Sequence, residues 1–373
     1  MKKVIFILSF LFIMFAVPLP CFAESEDYSD IYKYSGADEI SSLLDDNTRE
    51  FFEDRDIDPT DYNWVNSLKA EDVFSHIFSL FTGSGKAPLR AGLAVLSVIL
   101  VALAFRAFDI DNNTDTAIRF CITLSICALL ITGIWGSINA AVSAIKSSST
   151  FMLSFVPIYV GILSVSGAPV TAGASGSLML LAAEFISSAA AFGVTAIMGA
   201  YLSISISSSV SPLLDGSGLA ESIKKVGMWA MSLCTTVFLG LIGATTAVNS
   251  AADSLGTRTA KYILGTCVPV AGTALSGAVN TVSASLSLLK SSVGIYGVVA
   301  LCIMLLPILA ELLVWRVLLN VLSGVCTLFA ANETSRLFKA VDSMISFLIG
   351  AVFLVAAAFI ISLFVTVSLG RSI

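Results

Sequence analysis

Long uninterrupted apolar stretches recur along this chain, and they limit its possible folds more than any other feature. "PLRAGLAVLSVILVALAF" (88–105), "AIRFCITLSICALLITGIWGSI" (117–138), "FMLSFVPIYVGILSVSGAPVTAGASG" (151–176) with its continuation to 207, a run over 228–248, "VGIYGVVALCIMLLPILAELLVW" (293–315) and a last run over 344–369 all reach this length. A hydrocarbon layer about 30 Å thick needs roughly 20 apolar residues at 1.5 Å rise each. Transmembrane strands would be about 10 residues long and strictly alternating. The spans are therefore helices. With 57% hydrophobic and 12% charged residues the chain falls outside soluble composition. The expected fold is an all-α, polytopic helical membrane protein of about 6–8 spans, two of them broken by Pro and Gly or re-entrant.

The first residues read differently. Lys2 and Lys3 precede an apolar run from Val4 to Val17, then Pro18, Pro20 and Cys21-Phe22-Ala23 before Glu24. That order of charged, apolar and small-residue regions is a secretory signal peptide over residues 1–23; an uncleaved first span is the alternative. Residues 24–87 carry 16 acidic and 5 basic residues, a balance of −11, whereas residues 88–373 sum to +3. The acidic part is a separate extracytoplasmic segment of short helices. About 60 residues make a marginal core, so it is expected to lean on the membrane domain or on another protein. It holds no cysteine once Cys21 leaves with the signal, so no disulfide framework supports it.

Within the multi-span domain (88–373), "YILGTCVPVAGTALSGAVNTVSASLSLLKSSVG" (262–294) interrupts the apolar pattern. Pro269 removes a backbone donor, and Gly265 and Gly272 lower helical preference, so a break is expected there. Pro157, Gly161 and Pro169 mark a similar break over 151–176. These matching positions point to an internal repeat, about 117–207 and 228–315. Past Pro269, Ser276, Asn280, Ser283, Ser287 and Lys290 form one helical stripe and Leu275, Val279, Val282, Leu286 and Leu289 another. The polar stripe faces either a water-filled path or a neighbouring helix, where Ser and Gly serve close packing.

Over 177–207, Ala183, Ser187, Ala191, Thr195, Gly199 and Ser203 recur every fourth residue, which reads as a packing seam. Glu184 and Glu311 stand inside apolar runs. An ionised side chain at mid-bilayer costs roughly 2.5 to 3.5 kcal/mol, so both are expected to face the interior, in a polar path or in a structural hydrogen bond. The six cysteines of the membrane portion read as small buried hydrophobes.

"TGSGKAP" (82–88) lacks the first glycine and the Ser or Thr of a phosphate loop, and the chain has no HExxH, CxxC pair or GxSxG turn. Neither a catalytic role nor a cofactor, a metal or a nucleic-acid partner is expected. "APLR" at the first span, "FVPIYVGILSVSGAPVTAGASGS", and "AADSLGTRTAKYILGTCVPVAGTALSGAVNTV" leading to "LLKSSVG" closely resemble the stage III sporulation protein AE family of endospore-forming Firmicutes. That resemblance implies a mother-cell membrane protein around the engulfed forespore. It would be one integral component of a secretion or feeding channel, with other stage III sporulation membrane and ring proteins and an associated ATPase as partners. The exported segment would then lie between the two membranes. The residues leave two rival readings open: an autonomous solute permease with its site at the broken helices, and a structural scaffold without a conduit.

Overall fold

A computed structural model of the 373-residue chain describes residues 40–41, 44–55, 57–58, 64, 75, 79, 83–106, 112–210, 216–267, 272–328 and 332–369. At 112–119, 190–192, 256–288 and some helix-end positions only the backbone is described. Among the described residues there are eight α-helices and no strand: α1 Asp46–Glu53, α2 Lys86–Arg106, α3 Asn112–Val165, α4 Pro169–Ser188, α5 Thr195–Val210, α6 Ser217–Cys267, α7 Gly272–Leu328 and α8 Asn332–Leu369. A π-helical turn, Ala189–Val194, joins α4 to α5 in one rod. Among the described residues five stretches are long and apolar enough to cross a membrane: Phe120–Val165, Pro169–Ser188, Gly218–Leu255, Leu289–Thr327 and Thr334–Val367. The protein is thus a polytopic helical membrane protein.

The contacts fix how the rods run. Phe155 of α3 lies on Gly297 of α7 and Tyr159 lies beside Gly294, while Ser137 meets Glu311 and Trp315, so α3 and α7 are antiparallel. Val367 against Gly294 and Ser323 against Ser335 make α7 and α8 antiparallel as well. Lys224 with Ser343 and Gly227 with Phe347 set α6 parallel to α8, and Asp253 with Val170 sets it antiparallel to the α4–α5 rod. From Leu289 to Ala300, α7 is buried on nearly every side. α7 is the central rod. α6 lies at the edge, with Leu219, Val226, Trp229, Leu233, Val237 and Leu241 exposed. α2 packs on α3, with Ala91 near Gly133, and on the last third of α7, with Gly92 against Leu318.

The runs 117–138 and 151–165, counted separately in the sequence, belong to one 54-residue helix, α3. At 1.5 Å per residue it is about 81 Å long, more than two hydrocarbon thicknesses. The serine-rich stretch after Lys146 does not end it. Ser148 and Ser149 return their hydroxyls to the carbonyls of Ala144 and Ile145, satisfying themselves within the helix.

Pro157 and Gly161 lie inside α3, and the expected break at these positions is corrected. An interior proline costs about 3 kcal/mol, but the helix continues through it where Phe155 and Tyr159 pack closely on α7. The chain turns instead at 166–168. Gly167 has φ +92, a left-handed conformation that a side chain would strain, and Pro169 follows at the start of α4. Gly272 is the first residue of α7, and Pro269 falls outside the described residues, as do residues 1–39 with the expected signal peptide.

The seam at four-residue spacing is also corrected. Ala183 is buried, but Ser187, Thr195 and Gly199 are half-buried, Ser203 is exposed and the side chain of Ala191 lies outside the description. A Cβ at Gly199 would meet nothing within 4 Å. The π turn rotates the rod's face between its halves, so α5 buries Met198, Tyr201, Leu202 and Ser205 instead.

A side chain at Gly297 tests the central contact, because its Cβ would stand 2.5 Å from Cζ of Phe155. Gly297→Leu is expected to destabilise the protein by about 1–3 kcal/mol, read as a lower melting temperature in detergent, with partial recovery when Phe155→Ala is added.

Candidate functional site

Polar side chains gather at two levels along α7. At the first, Lys290, Ser291 and Ser292 are at most 2% exposed. Trp64 of the acidic segment donates its indole N–H to Ser292 Oγ at 3.3 Å and stands edge-on to Tyr296, and the ring of Phe52 lies 4.3 Å from that of Tyr296. Ile40, Leu44, Phe51, Phe52, Ile57 and Trp64 are buried in one cluster with the membrane core. The acidic segment does lean on the membrane domain, as its small size requires.

Beside this level Asp253, 6% exposed on α6, accepts the backbone N–H groups of Val170 at 3.0 Å and Thr171 at 2.9 Å. Both are first-turn donors of α4, which its own helix cannot satisfy. A carboxylate there is matched to the positive end of the helix dipole. Asp253 thereby ties the α3–α4 turn to α6.

At the second level Arg316 pairs with Asp342 at 3.3 Å and Asn320 donates to the same oxygen at 3.3 Å. Lys224 donates to Ser343, and Tyr201 donates to the carbonyl of Ala340 at 3.0 Å. From Ser292 to Arg316 is 24 residues of α7, or about 36 Å. The two levels therefore bracket a layer about as thick as a bilayer core.

Between them α7 carries one carboxylate, Glu311. Half-buried Glu311 accepts from Ser137 Oγ, and Trp315 donates its indole N–H to the same Oγ at 2.9 Å. Elsewhere between the levels Phe151, Phe155 and Tyr159 stack along α3 with centroids 5.2 and 5.7 Å apart, in one cluster with buried Leu301, Leu305 and Ile308, and the buried hydroxyls of Ser148, Ser149, Ser362 and Thr366 bond back to carbonyls of their own helices.

Of the residues singled out by sequence, Glu311 and Lys290 sit in the bundle's interior. Glu184 does not join them. It is exposed on α4 between exposed Leu181 and Phe185, because α4 turns Thr171, Ala172, Ser175, Gly176, Met179, Ala182 and Ala183 inward. Ser276, Asn280, Ser283 and Ser287 belong to the helical backbone of α7, and their side chains lie outside the description. Among the described residues no group of three His, Cys, Asp or Glu could hold a metal ion.

Sequence reasoning missed Asp253, Ser137 and the pairing of Arg316 and Asn320 with Asp342. Only Asp253 had a signal: a helix opened by Pro169 needs an acceptor for its next N–H groups, and an aspartate in an otherwise apolar stretch is one.

Replacing Asp253 with Ala leaves the buried N–H of Thr171 and the part-buried N–H of Val170 without their acceptor, a loss of about 1.5–3 kcal/mol for a bond to a charged group. Asp253→Ala is expected to lower the melting temperature and to speed proteolysis at 166–168. Asp253→Asn, which keeps one acceptor, is expected to fall between Ala and the native chain.

Comparison with known proteins gives a consistent picture. Residues 67–370 match the family model described as Stage III sporulation protein AE. A curated relative named Stage III sporulation protein AE, from Bacillus subtilis (strain 168), is 24% identical over 310 residues, covering 83% of this chain and 76% of the relative. No solved structure matches the chain.

Proposed function

Because the chain belongs to the stage III sporulation protein AE family, we propose that it serves endospore development as an integral, non-catalytic membrane component of the channel between mother cell and forespore. Its place is the mother-cell membrane around the forespore. Other stage III membrane and ring proteins and an ATPase are its partners, and residues 24–87 face the space between the membranes. The exported segment's aromatic contact with the first polar level supports this orientation. So does the second level, which gathers Lys224, Arg316 and the exposed Lys225, Arg336 and Lys339 at the opposite end, as the positive-inside rule expects of a cytoplasmic side.

The observation that carries the reading is the ring-packed interior between the two polar levels, where the buried serine and threonine hydroxyls close on their own helices. Among the described residues a single copy offers no continuous polar route along α3, α7 and α8. A conduit must then lie between copies or between this chain and its partners, which favours a channel component over a self-sufficient permease. α6 supplies an outward face for such contacts: only 11% of its apolar span is buried, against 39–61% for the other four.

Two measurements test this. Purified protein in liposomes is expected to give no substrate-specific flux by itself; flux by this chain alone would establish the permease. In sporulating cells, Asn280→Leu with Ser283→Leu is expected to leave complex assembly intact while forespore development stops. Normal development in that variant would leave a scaffold without a conduit as the better description.

A further inference from the structure

The outer faces of the rods differ in kind. α6 presents Trp229, Leu233, Val237 and Leu241, a surface as apolar as the acyl chains around it. α3 presents Gly136, Asn139, Ser143, Lys146, Ser147 and Thr150. Spacings of three and four residues put these on one helical face. From 136 to 161 no large apolar side chain of α3 is exposed.

This face crosses the middle of the layer between the two polar levels. Ser137 meets Trp315 and Phe155 lies on Gly297, so Lys146, nine residues from each, stands level with about residue 306 of α7. Nine residues are about two and a half turns, so Lys146 points away from Ser137 and from the Glu311 carboxylate that Ser137 meets. Ser292 and Arg316 lie about 21 and 15 Å away along the axis, farther than a lysine stem can snorkel. An ammonium at that depth is disfavoured among acyl chains and faces protein or water instead.

The opposite charge stands at a similar height on α4. Val160 packs on Gly176, and the two helices run antiparallel across the turn at 166–168, so Glu184, eight residues past Gly176, is level with Met152. That is six residues, about 9 Å, from Lys146. Glu184 is exposed as well, and among the described residues no ion pair joins the two within one copy. With half-buried Glu311 they are the charged side chains that the described residues carry in the middle of the layer. Both outward charges need cover, and each is what the other lacks. Copies related by rotation about the membrane normal keep every residue at its height, so a second copy brings Glu184 within the combined reach of two long side chains. The small residues of the α3 face let the backbones approach closely.

We propose that the outward polar face of α3 seats a second copy of this chain in the membrane, with Lys146 of one copy paired to Glu184 of its neighbour. The contact is required whether or not the assembly conducts, so it stands apart from the channel reading above.

Sedimentation equilibrium of the purified full chain in density-matched detergent reads the association. The native chain is expected to self-associate. Lys146→Glu and Glu184→Lys are each expected to weaken association at least about ten-fold, and the two together to recover it to within about three-fold of native. A monomeric native chain, an association that neither reversal weakens, or a double reversal no tighter than the singles would overturn the proposal. Because a reversed charge can also block folding, a second measurement keeps the native charges. Copies carrying Ser147→Cys are reconstituted in liposomes with copies carrying Ser188→Cys, two exposed positions that the Gly176–Val160 register sets at nearly the same height. Oxidation is expected to give at least about three times more disulfide-linked dimer from the mixture than from either variant alone, since the bond forms only between closely placed cysteines. Equal yields would overturn the contact. Ready labelling of Ser143→Cys by a water-soluble maleimide in the associated chain would show a face lined by water rather than by a neighbouring copy, which also overturns it.

Discussion

The bundle depends on the approach of α3 to α7 at Gly294 and Gly297. With no side chain there, the rings of Tyr159 and Phe155 lie directly on the α7 backbone. Lipid is as apolar as leucine, so helices in a bilayer gain little by hiding apolar surface from it; close contact of this kind is what holds them. Val367 of α8 uses the same gap at Gly294 from another side. α7 is thus buried where most membrane helices keep a lipid-facing edge, and the other rods take their positions from it.

Fold class was legible in the sequence because it rests on length and hydropathy, which an 18-residue window already contains. Helix ends were less legible. Pro157 was read as a break, yet one missing hydrogen bond is a local cost that ring packing on both sides offsets. Gly167 and Pro169 do stop a helix, because a left-handed residue followed by a fixed φ leaves no continuation. Side-chain placement was the least legible. The every-fourth-residue pattern through Ser187 and Gly199 assumes a constant 3.6-residue turn, and the π turn at Ala189–Val194 violates that assumption. Glu184 and Glu311 look alike in sequence, and only the rotation of each helix against its neighbours separates an exposed carboxylate from one that meets Ser137.

Charge is handled differently at each end of the molecule. At the level of Arg316 and Asp342, opposite charges from α7 and α8 are paired and supported by Asn320, so the α7–α8 register is fixed by a directional contact. At the level of Asp253, the charge is matched to backbone N–H groups and fixes a turn. At α1, Arg49 stands three residues from Asp46 and four from Glu53, both exposed, and such surface pairs contribute little. The first two arrangements lock their elements, while the third adds little to the ring contacts that hold α1.

Helix length adds a constraint on how the protein can work. α3, α6 and α7, at 54, 51 and 57 residues, are each longer than one bilayer crossing requires. α6 runs 14 residues past Asp253 to Cys267, and α7 begins 20 residues before Ser292, at Gly272. These continuations run from the first polar level, on the side where the acidic segment packs. Rods that outrun the bilayer place surfaces beyond it at a height set by rigid helices rather than by loops, and the contact of Phe52 and Trp64 with Tyr296 sits at the foot of that projection.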